Sequence, residues 1–128
     1  MRVMDAIAQA DELKPNGFSP EIKLAWLNAL EGRLAADVFL MSPAGLSELR
    51  YAFPGDEYTA MLVKPPHDDL YVHWLEAKID YANGEYNKYQ NSMQVFNECY
   101  GNFVRWFART YEPAQGYKNE EAGFDGVI

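Results

Sequence analysis

The chain has 128 residues, the length expected of about one domain. Apolar residues make up 48% and charged residues 23%, a globular composition that excludes a disordered chain. With 11 basic against 19 acidic residues, the formal charge of −8 argues against a duplex-binding surface, since that affinity comes largely from Lys and Arg neutralising phosphates. Aromatic residues stand out at 15%, nine of them Tyr, and pose a choice between binding surface, cofactor box and packed interior.

No window approaches 18 consecutive apolar residues, so no membrane span is expected. The stretch Met1 to Asp11 carries acids early and lacks the apolar run of a signal peptide. A single cysteine, Cys99, cannot form an internal disulfide, and together these features point to a reducing, intracellular compartment. No unit of 20–50 residues recurs, which excludes a solenoid.

Val3, Ile7, Ala10 and Leu13 recur at helical spacing and predict a short first helix closed by the turn residues Lys14, Pro15, Asn16 and Gly17. A second helix opens on Ser19 as N-cap, Pro20 at the first position and Glu21 at the positive end of the dipole. Its stripe is Ile22, Trp26, Leu30, Leu34, Val38 and Met41, with Glu21, Lys23, Asn28, Glu31 and Asp37 on the polar side and Ser42–Pro43 as the stop. Gly32 costs this helix roughly 1 kcal/mol and offers a neighbouring backbone room for close approach.

Residues 42–66 read as irregular, punctuated by Pro43, Gly45, Pro54, Gly55, Pro65 and Pro66, with one helical turn near Ser47–Tyr51 and a short strand near 60–63. Loops this long are often functional. Leu46, Tyr51, Phe53, Tyr58 and Met61 are therefore candidate partner contacts. A third main helix follows Pro66, capped by Asp68 or Asp69, with apolar groups on more than one face from Leu70 to Ala82. That pattern predicts a central helix ending at Asn83–Gly84.

The last helix carries the most regular pattern. Tyr86, Tyr89, Met93, Phe96, Tyr100, Phe103 and Phe107 alternate steps of three and four over three heptads, which predicts a long helix packed along its length and stopped at Tyr111 by Glu112–Pro113. Asn83, Asn87, Gln90, Asn91, Gln94, Asn97 and Asn102 make its other side a hydrogen-bonding surface for water or protein. The expected fold is all-α: a small bundle of about four helices in a domain spanning 1–112, the last two long and antiparallel. An extended tail at 113–128 offers Tyr117, Phe124 and Ile128 as further contact candidates.

Chemistry is sparse. His73 and Glu76 share a helical face with Asp69 and Asp80 nearby, a spacing a metal can use. Bundle di-iron sites, however, need Glu before His on two helices plus two further Glu, and here the order is reversed and uncopied. Solvated or singly hydrogen-bonded histidines are the better reading of His67 and His73, and no cofactor is expected. Around Cys99, the helical neighbours Val95, Phe96, Asn102 and Phe103 bring no basic group, so a buried structural thiol is expected rather than a nucleophile. No phosphate loop, GxSxG or HExxH occurs, and the aromatic stripe lacks the cationic groove of a base-stacking platform. The chain is not expected to be an enzyme.

One resemblance adds to this. The run Leu62, Val63, Pro65, Pro66, Asp68, Asp69, Leu70, Tyr71, then Trp74, Leu75, Glu76, Ala77, Ile79, Asp80, Tyr81, Ala82 and Asn83, resembles small prophage proteins of Gram-positive bacteria. Gly84, Glu85, Tyr86, Lys88, Tyr89, Asn91, Phe96 and Asn97 fit the same pattern, as do Leu13, Lys14, Pro15, Asn16, Lys23, Trp26 and Leu27. These are read as head–tail connector, or adaptor, subunits of siphovirus-like phages, and the likeness spans roughly residues 3–113. It rests on a packing pattern, not a catalytic motif.

The resemblance implies a helical subunit of a homo-oligomeric ring, expected to be twelvefold, seated beneath the portal protein in the virion neck. Such a subunit is made in the host bacterial cytoplasm. The ring would extend the DNA channel toward a tail-side connector or stopper protein, passing DNA without sequence-specific binding and touching no membrane. Net negative charge suits such a conduit, because attraction to phosphate hinders sliding. Two other readings compete: a small helical interaction or regulatory module acting as monomer or dimer, and a metal-dependent enzyme centred on His73 and Glu76.

Overall fold

Five α-helices account for most of residues 1–110, the residues that the structure, a computed structural model, describes. They are α1 (Val3–Leu13), α2 (Pro20–Asp37), α3 (Pro43–Glu48), α4 (Leu70–Ala82) and α5 (Tyr86–Thr110). The all-α bundle expected from the sequence is present; the irregular segment does carry a short helix, but as α3 it begins earlier than the turn expected near Ser47–Tyr51, because Ser42 caps it by accepting from Gly45 N and Pro43 opens it. No strand forms among the described residues. The segment near 60–63 makes a single antiparallel bridge, Ala60 to Arg2, and pairing stops there because its partner turns into α1 at Val3. The loop carbonyls instead take the first amides of that helix: Val3 donates to Thr59 O at 3.1 Å and Met4 to Glu57 O at 2.9 Å.

The buried edge of α1 is Val3, Ala6, Ile7 and Ala10, with Leu13 left exposed. Its two alanines let it lie close upon α4. The Lys14–Gly17 turn is held by Asn16, whose amide donates to Asp11 Oδ1 at 2.9 Å and whose oxygen accepts from Phe18 N at 3.1 Å.

In α2 the Ser19 N-cap forms as expected, its hydroxyl accepting from Ile22 N at 3.2 Å. The buried stripe, however, is rotated from the expected one. Lys23, Leu24, Leu27, Leu30, Glu31, Leu34 and Ala35 face inward, while Ile22 is exposed and Trp26 and Val38 are half-buried. Leucines surround this helix, so two stripes of similar apolarity compete, and the one that also places Lys23 and Glu31 opposite partners is selected. Gly32 admits no close backbone, because nothing lies within 4 Å of where its Cβ would stand. The helix ends at Asp37, short of Met41, because Leu40 turns left-handed (φ 55°) and Met41 N donates back to Ala35 O at 2.9 Å.

Central position belongs to α4, as its sequence predicts: Leu70, Tyr71, Val72, Trp74, Leu75, Ala77, Ile79 and Asp80 are all buried. Neither Asp68 nor Asp69 caps it in the expected way. Asp69 is the N-cap residue but already has helical backbone angles, and its side chain makes no capping bond. The first amides are satisfied by short backbone bonds instead, Tyr71 N to Asp68 O at 3.2 Å and Val72 N to Asp69 O at 3.1 Å. Asn83–Glu85 reverse the chain, with Gly84 at φ 73°, a conformation that glycine adopts freely.

α5 then runs antiparallel to α4. Rings pair across the seam in mirrored order about the turn: Tyr81 with Tyr89 (5.1 Å between centroids), Trp74 with Phe96 (5.1 Å) and His67 with Phe103 (5.8 Å). With 25 residues α5 is about 37 Å long and outruns the 13-residue α4. Its far end packs on Phe39, 4.9 Å from Phe107. Only Phe96 and Phe103 of the heptad stripe are fully buried. Tyr86 stands 58% exposed and the rest are half-buried, because α5 forms the outer layer and the deep core is made by α1, α2 and α4.

Candidate functional site

The irregular segment is held in place by the polar residues of α2. Glu31, 1% exposed, accepts from Tyr71 Oη at 2.6 Å, Tyr51 Oη at 2.7 Å and Leu62 N at 2.8 Å. Tyr71 Oη in turn accepts from Val63 N at 2.9 Å. Burial first, then the neighbouring Glu31 charge, pushes both phenols far above the ordinary tyrosine range, so they remain donors. One turn earlier, Asn28 grips Tyr51 by both backbone groups, donating to its carbonyl and accepting from its N–H, each at 2.9 Å. The cluster is sealed from solvent and serves the fold.

That arrangement removes two of the expected contact residues from the surface. Tyr51 is buried by its bond to Glu31, and Met61 is wholly buried beneath it. Leu46 and Phe53 are half-buried and Tyr58 projects at 71% exposure, with the Arg2 guanidinium 5.2 Å from its ring centroid. Tyr117, Phe124 and Ile128 lie outside the described residues. The Asn- and Gln-rich side of α5 faces outward as expected, with Asn87, Gln90, Asn91, Gln94, Asn97 and Asn102 exposed. Val95 and Tyr86 stand exposed on the same helix, and Leu40 projects beside its far end at the rim of a cleft of about 290 Å³ with Val104 and Phe107.

The two histidines do different things. His67 is half-buried against Trp106 (4.8 Å between centroids) and Phe103, not solvated, and its Nδ1 is enclosed without a hydrogen-bond partner. His73 is held by Glu76, with Nδ1 3.0 Å from Oε1, and its Nε2 lies 3.9 Å from Asp69 Oδ2. Cys99 completes this group from α5. It is half-buried rather than buried, and its Sγ lies 4.0 Å from the same Asp69 oxygen. Helical neighbours in sequence gave Cys99 no basic group, but the antiparallel register brings Asp69 and His73 to it. The signal available in the sequence was the Gly84 turn, since 69 and 99 lie equally far from it.

Burial, then Asp69 and Glu98, raise the Cys99 thiol above its ordinary value, the reverse of what activates a nucleophile. A second buried acid, Asp80, is spent on Ser92 Oγ at 2.6 Å and Lys14 Nζ at 3.1 Å, tying the ends of α1, α4 and α5 together. No described helix is long and apolar enough to cross a membrane. No protein-family model, curated protein or solved structure matches the chain.

Proposed function

We propose that the chain is a structural subunit of a phage neck, a head–tail connector that assembles as a ring beneath the portal and extends the DNA channel. The observation that carries this reading is the disposition of α5. One side of it seals a satisfied interior, with Tyr86 left exposed where the stripe begins, and the other presents Val95 and a row of amides to whatever lies alongside. A ring needs two different surfaces on each subunit. The irregular segment, with projecting Tyr58 and half-buried Phe53 and Leu46, is the candidate for the second. The resemblance over residues 3–113 and the net charge of −8 support the same assignment, the latter because a conduit wall must not hold DNA.

Light scattering of the chain alone and mixed with the portal protein of its own prophage tests this. The expected result is a high-order assembly, formed alone or on the portal, that Tyr58→Asp and Val95→Asp weaken without changing far-UV circular dichroism. Deleting residues 114–128 is expected to weaken assembly in the same way. A monomer or dimer indifferent to portal protein would overturn the proposal in favour of a small interaction module.

A further inference from the structure

We infer that Asp69, His73 and Cys99 form a binding site for a borderline-soft divalent cation, zinc foremost, clasping the start of α4 to the middle of α5. One carboxylate oxygen, one imidazole nitrogen and one sulfur lie within 4.8 Å of one another. Bond lengths of about 2.0–2.3 Å in a tetrahedral zinc site put such atoms roughly 3.3–3.7 Å apart. The gaps of 3.9 Å from Asp69 Oδ2 to His73 Nε2 and 4.0 Å to Cys99 Sγ need a closure of only a few tenths of an ångström. Asp69, the exposed member, can make that adjustment by rotating its carboxylate.

Two independent features give the cluster the form of a metal site. Asp69 occupies an N-cap position yet its side chain accepts no capping bond, and its carboxylate is directed at His73 and Cys99 instead. The imidazole is already oriented: Glu76 holds Nδ1 at 3.0 Å, which fixes the proton there and leaves the Nε2 lone pair facing the other two groups. A carboxylate behind the histidine is the usual outer shell of zinc-binding imidazoles. Access is open as well, because Asp69 is exposed and a cavity of about 470 Å³, lined by Asp69, Cys99, Asn102, Arg105 and Arg109, adjoins the sulfur. The guanidinium of Arg105 is drawn off to Asn102 Oδ1 at 2.6 Å.

The chemistry balances simply. As the metal–sulfur bond forms, the Cys99 thiol releases its proton to solvent, and thiolate plus carboxylate neutralise the two positive charges. The neutral imidazole completes three protein ligands, and water from the cavity takes the fourth position. Set S, N and O donors favour zinc or cobalt over magnesium or calcium, which take oxygen ligands.

The test uses the tag-free, metal-free full chain without portal protein, so it stands apart from the assembly reading. Titration with Co²⁺ is expected to give one ion per chain and a thiolate-to-cobalt charge-transfer band, bleached by Zn²⁺. Cys99→Ser should abolish the band, His73→Ala should weaken binding at least tenfold, and Glu76→Ala should weaken it about 10–100-fold. Zn²⁺ should raise the unfolding midpoint of the wild type and not of Cys99→Ser. The inference fails if the folded wild type gives no thiolate band, or if His73→Ala binds Co²⁺ as the wild type does.

Discussion

Replacing Glu31 by Leu isolates what one buried carboxylate contributes, since Leu fills much of the same space and accepts no hydrogen bond. Three donors lose their acceptor: Tyr71 Oη, Tyr51 Oη and Leu62 N, at 2.6, 2.7 and 2.8 Å. A buried donor left unpaired costs about 1–3 kcal/mol, and bonds to a charged acceptor lie at the upper end. The three share one acceptor and do not add fully, so the expected loss is about 4 kcal/mol, a large part of a total of about 5–15. Urea unfolding followed by circular dichroism reads this as a midpoint lower by about 2 M. The companion variant Glu31→Leu/Tyr51→Phe removes one phenolic donor with the acceptor and should recover about a third of the loss, whereas adding Tyr71→Phe should recover no more, because the Tyr71 hydroxyl also accepts from Val63 N at 2.9 Å. A loss below about 1 kcal/mol in Glu31→Leu would refute the reasoning, showing that the donors find water and that the carboxylate does not hold residues 51–63.

The same cluster fixes a pH response. Tyr51 and Tyr71 titrate above the unfolded tyrosine value of about 10. The folded state therefore keeps protons that the unfolded state gives up, and stability holds below about pH 10 and falls above it. Ultraviolet titration should show these two phenols ionising only as the chain unfolds. Gly32→Ala is expected to stabilise by about 0.5–1 kcal/mol, because it removes a glycine from a helix interior where nothing meets the new Cβ; a lower urea midpoint would contradict this. For Cys99, alkylation by iodoacetamide in metal-free buffer should rise with pH later than for free cysteine, reflecting its raised thiol; coincident profiles would contradict it.

Much of the fold was legible because its signals are local. The Ser19 cap, the Pro20 start, the Gly84 turn and the 3–4 stripe of α5 each depend on residues a few positions apart, and all appear where expected. Some failures are local, as at the uncapped start of α4 and the early end of α2, but those that bear on the candidate site are non-local. Lys23 and Glu31 read as solvent-facing charges because charged residues are rarely buried unpaired, yet each has a partner brought by the tertiary fold: Asp11 at 2.6 Å for Lys23, and the two tyrosines for Glu31. Tyr51 and Met61 read as loop residues available to a partner because a proline- and glycine-rich segment suggests exposure. Tyr51 is buried by hydrogen bonds to α2 residues 20 or more positions away, and Met61 is drawn in by its amide bond to Met1 O and by its neighbour Leu62, whose amide donates to Glu31. Cys99 was paired with its helical neighbours, whereas its chemical neighbours lie across the seam.

Asn28 gives the irregular segment something it would otherwise lack. By bonding both backbone groups of Tyr51 it acts as the neighbouring strand does in a sheet, in a protein whose described residues contain no strand. A few residues on, Asp56 accepts from Ala52 N at 2.8 Å and its backbone N–H returns to Ala52 O at 3.1 Å, closing the loop on itself. Residues 51–59 are thus ordered before any partner arrives, and Tyr58 projects from a framework rather than from a free chain. Ordering a loop on association commonly takes about 0.5–1.5 kcal/mol for each side chain immobilised. Under the proposed assembly the backbone of this loop would need no further ordering, which would leave only exposed side chains such as Tyr58 to be immobilised on contact.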